Sequence, residues 1–293
     1  MADWHIGILG GSGLYELAGL DDAQEIAVAS AFGEPSGPVT MGTIGGVRFS
    51  FLARHGAGHR LLPSAINYRA NIDVLKRCGV TDVLAVSAVG SLREDIAPGH
   101  FVIPDQFIDR TEGRARSFFG AGVAAHVSLA DPVCARLAEL AANAAEAAGA
   151  RVHRGGCYVA IEGPQFSTRA ESKLYRQWGA DAIGMTAMPE ARLAREAELP
   201  YAVLGMVTDY DGWRPDGSVD VSQILAVMRE NAQLAHGALV QLAHSLPAER
   251  GSSPIDCALD GAIVTPPAKW DRQLASRLDA IAARYLRRHA STT

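Results

Sequence analysis

The chain has 293 residues, 48% of them apolar, which is enough to bury a substantial core as one large α/β domain or two small ones. Its 27 basic and 32 acidic residues give a net charge of −5, without the basic stripe that nucleic-acid binding requires. It has no window of about 18 uncharged apolar residues and no basic leader followed by an apolar run. We therefore expect a cytoplasmic protein with neither a membrane nor a nucleic acid as a partner.

The first predicted strand is His5–Gly10, a short apolar run closed by glycines. Predicted strands Val39–Ile44 and Val47–Ala53 flank Gly45-Gly46, a pair typical of a hairpin turn. The second arm of this hairpin leads directly into Arg54-His55-Gly56. A functional loop is therefore expected at the end of that strand.

The next part of the chain alternates between helical and strand patterns. Residues 67–78 have helical spacing and stop before a glycine, and residues 80–89 form a continuous apolar strand. Residues 101–108 predict another strand. Asp131-Pro132 predicts the first turn of an alanine-rich helix, with an N-cap and a proline at the first position, that Gly149 closes.

Cys157–Ile161 predicts the next strand, and Thr168-x-x-Glu171 has the spacing of a capping box. A helix should therefore begin at this box and run to Gly179. Residues 182–185 and 201–207 predict two more strands.

Further helices are predicted over residues 189–198, 221–244 and 271 to about 288, the last after an arm rich in glycine and proline. Because strands and helices alternate throughout, we predict one α/β domain over residues 1–293. Its central sheet should be mixed, largely parallel and surrounded by helices. Residues 247–293 would form a C-terminal arm and helix.

The cysteines are far apart and form no Cys-x-x-Cys pair, so we expect buried, reduced thiols rather than disulfides or metal ligands. They are Cys78, Cys134, Cys157 and Cys257. No His-Glu-x-x-His motif, Cys/His cluster or nucleotide triphosphate loop occurs. We expect neither a metal nor a cofactor.

The first strand runs into the glycine-rich turn Gly10-Gly11-Ser12-Gly13. The dinucleotide-binding spacing is not met, because Glu16 stands where the third glycine should be. Exposed N–H groups in such a turn and the Ser12 hydroxyl can still donate to phosphate oxygens. From this segment alone, an anion cradle and a structural turn are equally good interpretations.

Polar side chains collect at the ends of several predicted strands, where open α/β sheets place ligands. Arg54-His55 combines an always charged planar donor with a titratable one, which suits phosphate, although alone it would favour a surface salt bridge. Segments with hydroxyls, an aromatic ring and carboxylates follow other predicted strands at residues 87–91, 162–167, 184–190 and 208–213. Their convergence predicts a ligand site.

With these motifs the sequence resembles the purine nucleoside phosphorylase superfamily and, within it, the 5'-methylthioadenosine phosphorylases. The resemblance extends from about Gly7 to Asn231. Its motifs include Leu52-Ala53-Arg54-His55-Gly56, Gly90-Ser91-Leu92-Arg93-Glu94, Ile161-Glu162-Gly163-Pro164 and Thr208-Asp209-Tyr210-Asp211. It implies phosphorolysis of 5'-methylthioadenosine to adenine and 5-methylthioribose 1-phosphate, with phosphate as co-substrate and no cofactor. It also implies a homo-oligomer, a trimer or a hexamer, with sites at subunit interfaces.

The resemblance also implies roles for individual residues. Phosphate would be held by Ser12, Arg54, His55, Ser87, Ala88 and Thr186, with His55 also catalytic. The ribose and purine would meet Val89, Gly90, Phe166, Ser167, Met185, Asp209 and Asp211. The 5' substituent would meet an apolar wall of Val221, Ile224 and Leu225, together with His126 from a neighbouring subunit.

Ribosyl transfer passes through an oxocarbenium-like state, so the departing purine needs a proton at N7. A protonated Asp209 would supply it, which requires a pKa raised by a closed pocket and by the like charge of Asp211. An ionised carboxylate accepts a hydrogen bond from a 6-amino group and repels a 6-oxo group, so adenine is favoured over hypoxanthine. The alternative for Asp211 is a cap on the turn at Gly212.

Gly184 departs from the common asparagine of the family, and its segment also resembles a branch that acts on 5'-methylthioinosine. That activity, or another purine nucleoside phosphorylase activity, is therefore an alternative. A non-catalytic nucleoside-binding protein is a second one, although Arg54, His55 and Asp209 are all retained.

Overall fold

The computed structural model describes residues 3–11, 14, 19–214 and 221–290. Eleven strands and seven α-helices lie within these ranges. The strands are β1 His5–Gly10, β2 Asp21–Ile26, β3 Val39–Ile44, β4 Val47–Ala53, β5 Asp82–Ser91, β6 Phe101–Ile103, β7 Gln106–Arg110, β8 Val152–Arg154, β9 Cys157–Ile161, β10 Ala182–Gly184 and β11 Tyr201–Asp209. The helices are α1 Tyr68–Arg77, α2 Ala135–Ala147, α3 Arg169–Gln177, α4 Ala187–Glu196, α5 Val221–Ser245, α6 Arg272–Arg277 and α7 Ala283–Ala290.

The strands form one mixed, largely parallel sheet, which confirms the predicted fold class. Its order is β2-β3-β4-β1-β5-β10-β9-β7, and β11 pairs with β5 and with β6, which in turn pairs with β8. Neighbouring strands β4, β1, β5 and β11 are parallel to one another. Their carboxyl ends therefore meet at one edge of the sheet, the edge at which α/β proteins bind ligands.

Helices cover both faces of the sheet, and side chains alternate between the two cores along each strand. In β1, Ile6 and Ile8 face one core and Leu9 faces the other. Helices α2 and α5 pack together on the first face, and α1 packs with α4 on the second.

The single strand predicted over residues 101–108 is wrong, because the chain divides there into β6 and β7. Pro104 lies between them and has no N–H to continue a ladder. After this break, β6 pairs with β8 and β7 pairs with β9. The proline thus marks the point at which the chain leaves one part of the sheet and enters another.

Two predicted helices have different bounds. Helix α2 begins at Ala135 rather than at Asp131-Pro132, because the N–H of its N-cap residue Cys134 donates to the Tyr201 carbonyl at 2.8 Å. The predicted C-terminal helix is divided into α6 and α7 by a turn that places Leu278 and Ile281 in the core.

Two strands were not predicted. β2 is exposed along its whole length and pairs with β3 at the edge of the sheet, so its sequence carries no apolar alternation. β8 has three residues, too few for a periodic signal.

All four cysteines are free thiols, but the expectation that they are buried holds fully for Cys134 alone. Cys78 and Cys157 are half-buried and Cys257 is exposed. Among the helices that the structure describes, none combines the length and the apolar character needed to cross a bilayer.

Candidate active site

A cavity of about 530 Å³ lies at the carboxyl ends of β5 and β11. Small-molecule sites typically have volumes of about 300–1,000 Å³. The end of β5, the turn from β10 into α4, the end of β11 and the start of α5 contribute to its walls. Most of the residues predicted to bind substrate therefore meet in one place.

One end of the cavity presents hydroxyl groups. Ser87 Oγ lies 3.4 Å from Thr186 Oγ1, and Ala88 and His55 complete this end. Two hydroxyls from different elements that lie this close together can donate to the same oxyanion. Ser12, the third hydroxyl predicted here, lies outside the described residues.

Arg54 lies behind this end of the cavity rather than in its lining, and it is fully buried. Its guanidinium donates to both oxygens of Glu190, from Nε at 2.7 Å and from Nη2 at 2.9 Å. The Tyr201 hydroxyl donates to the same carboxylate at 2.9 Å. Burial alone would lower the pKa of Arg54, but the Glu190 carboxylate outweighs it, so that pKa lies above its usual value.

His55 is a neutral ring with a fixed tautomer. Its Nδ1 lies 2.8 Å from the Leu61 carbonyl, which can accept but not donate, so Nδ1 carries the proton. Burial lowers the pKa of His55 to about 4. With the proton on Nδ1, Nε2 is an acceptor, so this arrangement favours a hydrogen bond from a protonated phosphate oxygen to His55 over the donor role expected from the sequence.

Asp209 lies at the end of β11, where the pairing with β5 is irregular. Val207 pairs with Val89 and Asp209 with Gly90, so Thr208 is an extra residue, a β-bulge. Thr208 Oγ1 donates to Oδ1 of Asp209 at 2.7 Å.

Burial raises the pKa of Asp209, as the predicted acid role requires. The repulsion between the two carboxylates, the expected second cause, raises the pKa of Asp211. Asp211 also donates its backbone N–H to Oδ2 of Asp209 at 2.9 Å, and this bond lowers the pKa of Asp209.

Asp211 belongs both to the cavity and to a turn. It has a φ of 50° and begins the short 3₁₀ turn Asp211–Trp213. Its carboxylate accepts from the Ser172 hydroxyl on α3, a helix whose start is fixed by the predicted capping box at Thr168. Burial, and then the charge of Asp209, raises the pKa of Asp211.

Val89, Gly90, Phe166 and Met185 line the cavity, as predicted. Phe166 is 48% exposed and so stands at the opening. Ser167 is not part of the lining, and its Oγ is buried without a hydrogen-bond partner in the described part of the chain.

Part of the cavity lining is apolar. It includes Ile224 and Leu225 as predicted, together with Met228 and Leu62, which the sequence did not single out. The side chain of Val221 lies outside the described part of the structure. His126 is exposed and outside this lining.

The absence of a side chain at Gly184 has a structural reason. A Cβ atom there would overlap the Tyr158 hydroxyl and lie 2.7 Å from the ring carbon that carries it. Tyr158 is fully buried. An asparagine at this position would therefore have to displace the Tyr158 ring.

Within the described residues, no group of three or more His, Cys, Asp or Glu side chains could hold a metal ion.

A model of the phosphorylase superfamily matches residues 5–244. The chain is 55% identical to an S-methyl-5'-thioadenosine phosphorylase of Cereibacter sphaeroides over 96% of this chain and 98% of that protein. It is 54% identical to one of Bradyrhizobium diazoefficiens, with the same coverage of both.

Solved structures agree with these relatives. A methylthioadenosine phosphorylase from an antarctic soil metagenomic library superimposes with a TM-score of 0.90 at 44% identity, covering 96% of this chain and 99% of that one. The enzyme of Schistosoma mansoni in complex with tubercidin gives 0.81 at 33% identity, covering 90% and 100%. The chain therefore belongs to the phosphorylase superfamily and, within it, to the family of S-methyl-5'-thioadenosine phosphorylases.

Proposed function

We propose that this chain cleaves 5'-methylthioadenosine with inorganic phosphate, giving adenine and 5-methylthioribose 1-phosphate. The observation that carries the proposal is that one cavity is lined both by a buried carboxyl, Asp209, and by the neighbouring hydroxyls of Ser87 and Thr186. Relatives at 55% and 54% identity over nearly the whole chain carry this activity in their names. The enzyme is a pentosyltransferase.

In the proposed reaction, a phosphate oxygen attacks C1' of the ribose while the bond from C1' to the purine N9 breaks. The electron pair of that bond passes to the purine, and protonated Asp209 gives its proton to N7. The positive charge that develops on the ribose is stabilised by the phosphate dianion beside it. Asp209 then recovers a proton from water.

The roles proposed for the phosphate site rest on its donors and acceptors. Ser87 and Thr186 donate from their hydroxyls, and the backbone of Ala88 adds a further donor. Arg54, which is buried next to the cavity but outside its lining, contributes a positively charged donor to the phosphate site. Neutral His55 accepts a hydrogen bond from a protonated phosphate oxygen, which keeps the anion in one orientation.

Adenine recognition rests on both aspartates, which line the cavity. Asp209 donates its proton to N7, and the Asp211 carboxylate supports recognition of the 6-amino group by accepting a hydrogen bond from it. The 5'-methylthio group would contact the apolar side chains of Ile224 and Leu225, which offer no hydrogen-bond partner to a hydroxyl.

We further propose a homo-oligomer, a trimer or hexamer, in which His126 of one subunit approaches the substrate of the next. The exposed position of His126 outside its own cavity supports this. Phosphate is a co-substrate and no cofactor is needed. A cytoplasmic location stays a prediction from the sequence.

Residues 1–293 are proposed to form one phosphorylase domain, with residues 247–293 as its C-terminal arm and helices. Support comes from Leu278 and Ile281, which are buried in the same core as the strand residue Val83.

The test is purine release from 5'-methylthioadenosine, 5'-methylthioinosine, adenosine and inosine, each with and without phosphate. We expect rapid release of adenine from methylthioadenosine that depends on phosphate. Release at the same rate without phosphate would identify a hydrolase, and no release from any of the four would indicate a binding protein.

A further inference from the structure

The Arg54 guanidinium is bonded almost completely by its own protein. Arginine has five N–H donors. Two of them bind Glu190, a third binds the Leu9 carbonyl from Nη2 at 3.1 Å, and a fourth reaches the Val86 carbonyl from Nη1 at 3.4 Å. Within the described residues, one N–H on Nη1 is left without an acceptor.

The atom that carries this N–H lies at the glycine turn after β1. A Cβ atom on Gly11 would be 2.9 Å from Nη1 of Arg54 and 3.3 Å from Cα of Ser87. Because Gly11 has no side chain, the guanidinium edge can approach the turn next to Ser87. Ser87 lines the hydroxyl end of the cavity.

Glu190 affects the net charge of the site and the orientation of the Arg54 guanidinium in different ways. Arg54 and Glu190 are both fully buried and form a bidentate pair, so together they add no net charge to the site. What Glu190 provides is orientation, because two parallel bonds to a planar fork fix its angle. The Tyr201 hydroxyl fixes the carboxylate in turn.

We propose that Glu190 is the positioning residue of the phosphate site: it holds the Arg54 guanidinium at the one angle that aims the remaining Nη1 donor at bound phosphate. Tyr201 supports it as a second positioning residue. This inference rests on the proposed phosphorolysis and extends it to two side chains outside the cavity lining.

Glu190→Gln is the principal variant. Its amide retains one acceptor but places an NH₂ group against a guanidinium N–H, which tilts the fork. We expect the KM for phosphate to rise at least about tenfold, because small misplacements of binding groups are costly, while the KM for methylthioadenosine changes less than about threefold. Tyr201→Phe removes one hydrogen bond and should raise the phosphate KM by about threefold.

Asp82→Asn is the matched control. Asp82 is likewise a fully buried carboxylate paired with two arginines, Arg136 and Arg250, but it lies at the opposite end of β5 from the cavity. This variant should lower the melting temperature and leave the phosphate KM within about twofold of wild type, because its ion pairs are remote from the site.

A double-variant cycle with Arg54→Gln tests whether Glu190 acts through Arg54. If it does, adding Glu190→Gln to Arg54→Gln should change the phosphate KM by less than about twofold. Independent, multiplying effects would overturn the proposal, and so would equal rises in the two KM values. If Glu190→Gln does not fold, an unchanged phosphate KM in folded Tyr201→Phe overturns it. Phosphate-independent cleavage by the wild type would instead refute the proposed function.

Discussion

The Tyr158 hydroxyl occupies the space in which a side chain of residue 184 would begin. A Cβ on Gly184 would lie 2.7 Å from the Tyr158 ring carbon Cζ, and Gly184 itself lines the cavity. The two residues lie on the adjacent parallel strands β9 and β10. Their identities are therefore coupled, because a side chain at residue 184 has room only if the Tyr158 ring moves or is removed.

We expect Gly184→Ala to destabilise the fold by about 1–3 kcal/mol, the usual cost of overpacking a core. Tyr158→Val, which removes the ring, should also destabilise it because it leaves a cavity. Combined, the two changes should cost less than the sum of the single changes. The free energy of unfolding in urea, measured for all four proteins, checks this, and strict additivity would contradict the coupling.

Asp209→Asn should lower turnover of methylthioadenosine by about 10²–10⁴-fold, the usual range for a lost general acid. The loss should be smaller for methylthioinosine, because the amide NH₂ can donate to a 6-oxo group. Steady-state kcat values for both substrates test this. Asp211→Ala serves as the comparison and should chiefly raise the nucleoside KM. Undiminished adenine release by Asp209→Asn would disprove the acid role.

The activity should also have a defined dependence on pH. Burial raises the pKa of Asp209, and its protonated form is the active one. The kcat should therefore fall as the pH rises through the pKa of Asp209 in the enzyme–substrate complex. A pH profile of kcat between pH 5 and 9 tests this at saturating phosphate. A kcat that rises over the same interval would assign the proton to another group.

Glu196 predicts a pH dependence of stability outside the cavity. Burial raises the pKa of Glu196 to about 7 from an ordinary value of 4.5, despite hydrogen bonds from Ser117 and Phe118. Because the folded protein binds this proton more tightly, the associated stability is present below pH 4.5 and is lost as the pH rises through 7. The loss is at most about 3 kcal/mol and is reduced by partial exposure.

Glu196→Gln should therefore flatten the change in melting temperature between pH 5 and pH 8. The exposed variant Glu139→Gln is the control and should retain the slope of the wild type. An unchanged slope in Glu196→Gln would show that another group causes it.

The apolar end of the cavity should select the 5'-methylthio group. We expect kcat/KM for methylthioadenosine to exceed that for adenosine at least about tenfold, which corresponds to about 1.4 kcal/mol for a buried, unpaired hydroxyl. Ile224→Thr should reduce this ratio because it supplies a partner for the hydroxyl. Ala226→Thr, on the exposed side of the same helix, should leave it unchanged. Equal kcat/KM values in the wild type would argue against an apolar 5' pocket.

The elements that the sequence predicted well are those with local causes. The hairpin of β3 and β4 follows from two glycines between apolar runs, and α3 begins directly after its N-cap Thr168 because the capping box satisfies its first donors. Sequence patterns predicted element boundaries less well where tertiary contacts determine them. No local pattern indicates that Leu278 and Ile281 turn into the core and interrupt a helix.

The residues of the candidate site also fall into a predictable group and an unpredictable one. Its cavity-facing residues could be predicted, since strand ends and motifs are visible along the chain. The partners behind them could not: Glu190 reaches Arg54 from 136 positions away, and Ser172 reaches Asp211 from 39. Such contacts depend on how the helices pack against the sheet, and residue spacing along the sequence does not predict that packing.

The bulge in β11 has a consequence for protein engineering. In a regular strand, neighbouring residues point to opposite faces, yet Thr208 and Asp209 both line the cavity. The extra residue lets an acid and its hydrogen-bond donor stand side by side on one face while remaining adjacent in the chain. Anyone grafting this proton-donating pair onto another parallel sheet would have to transplant the irregular backbone with it, since the two side chains alone would separate.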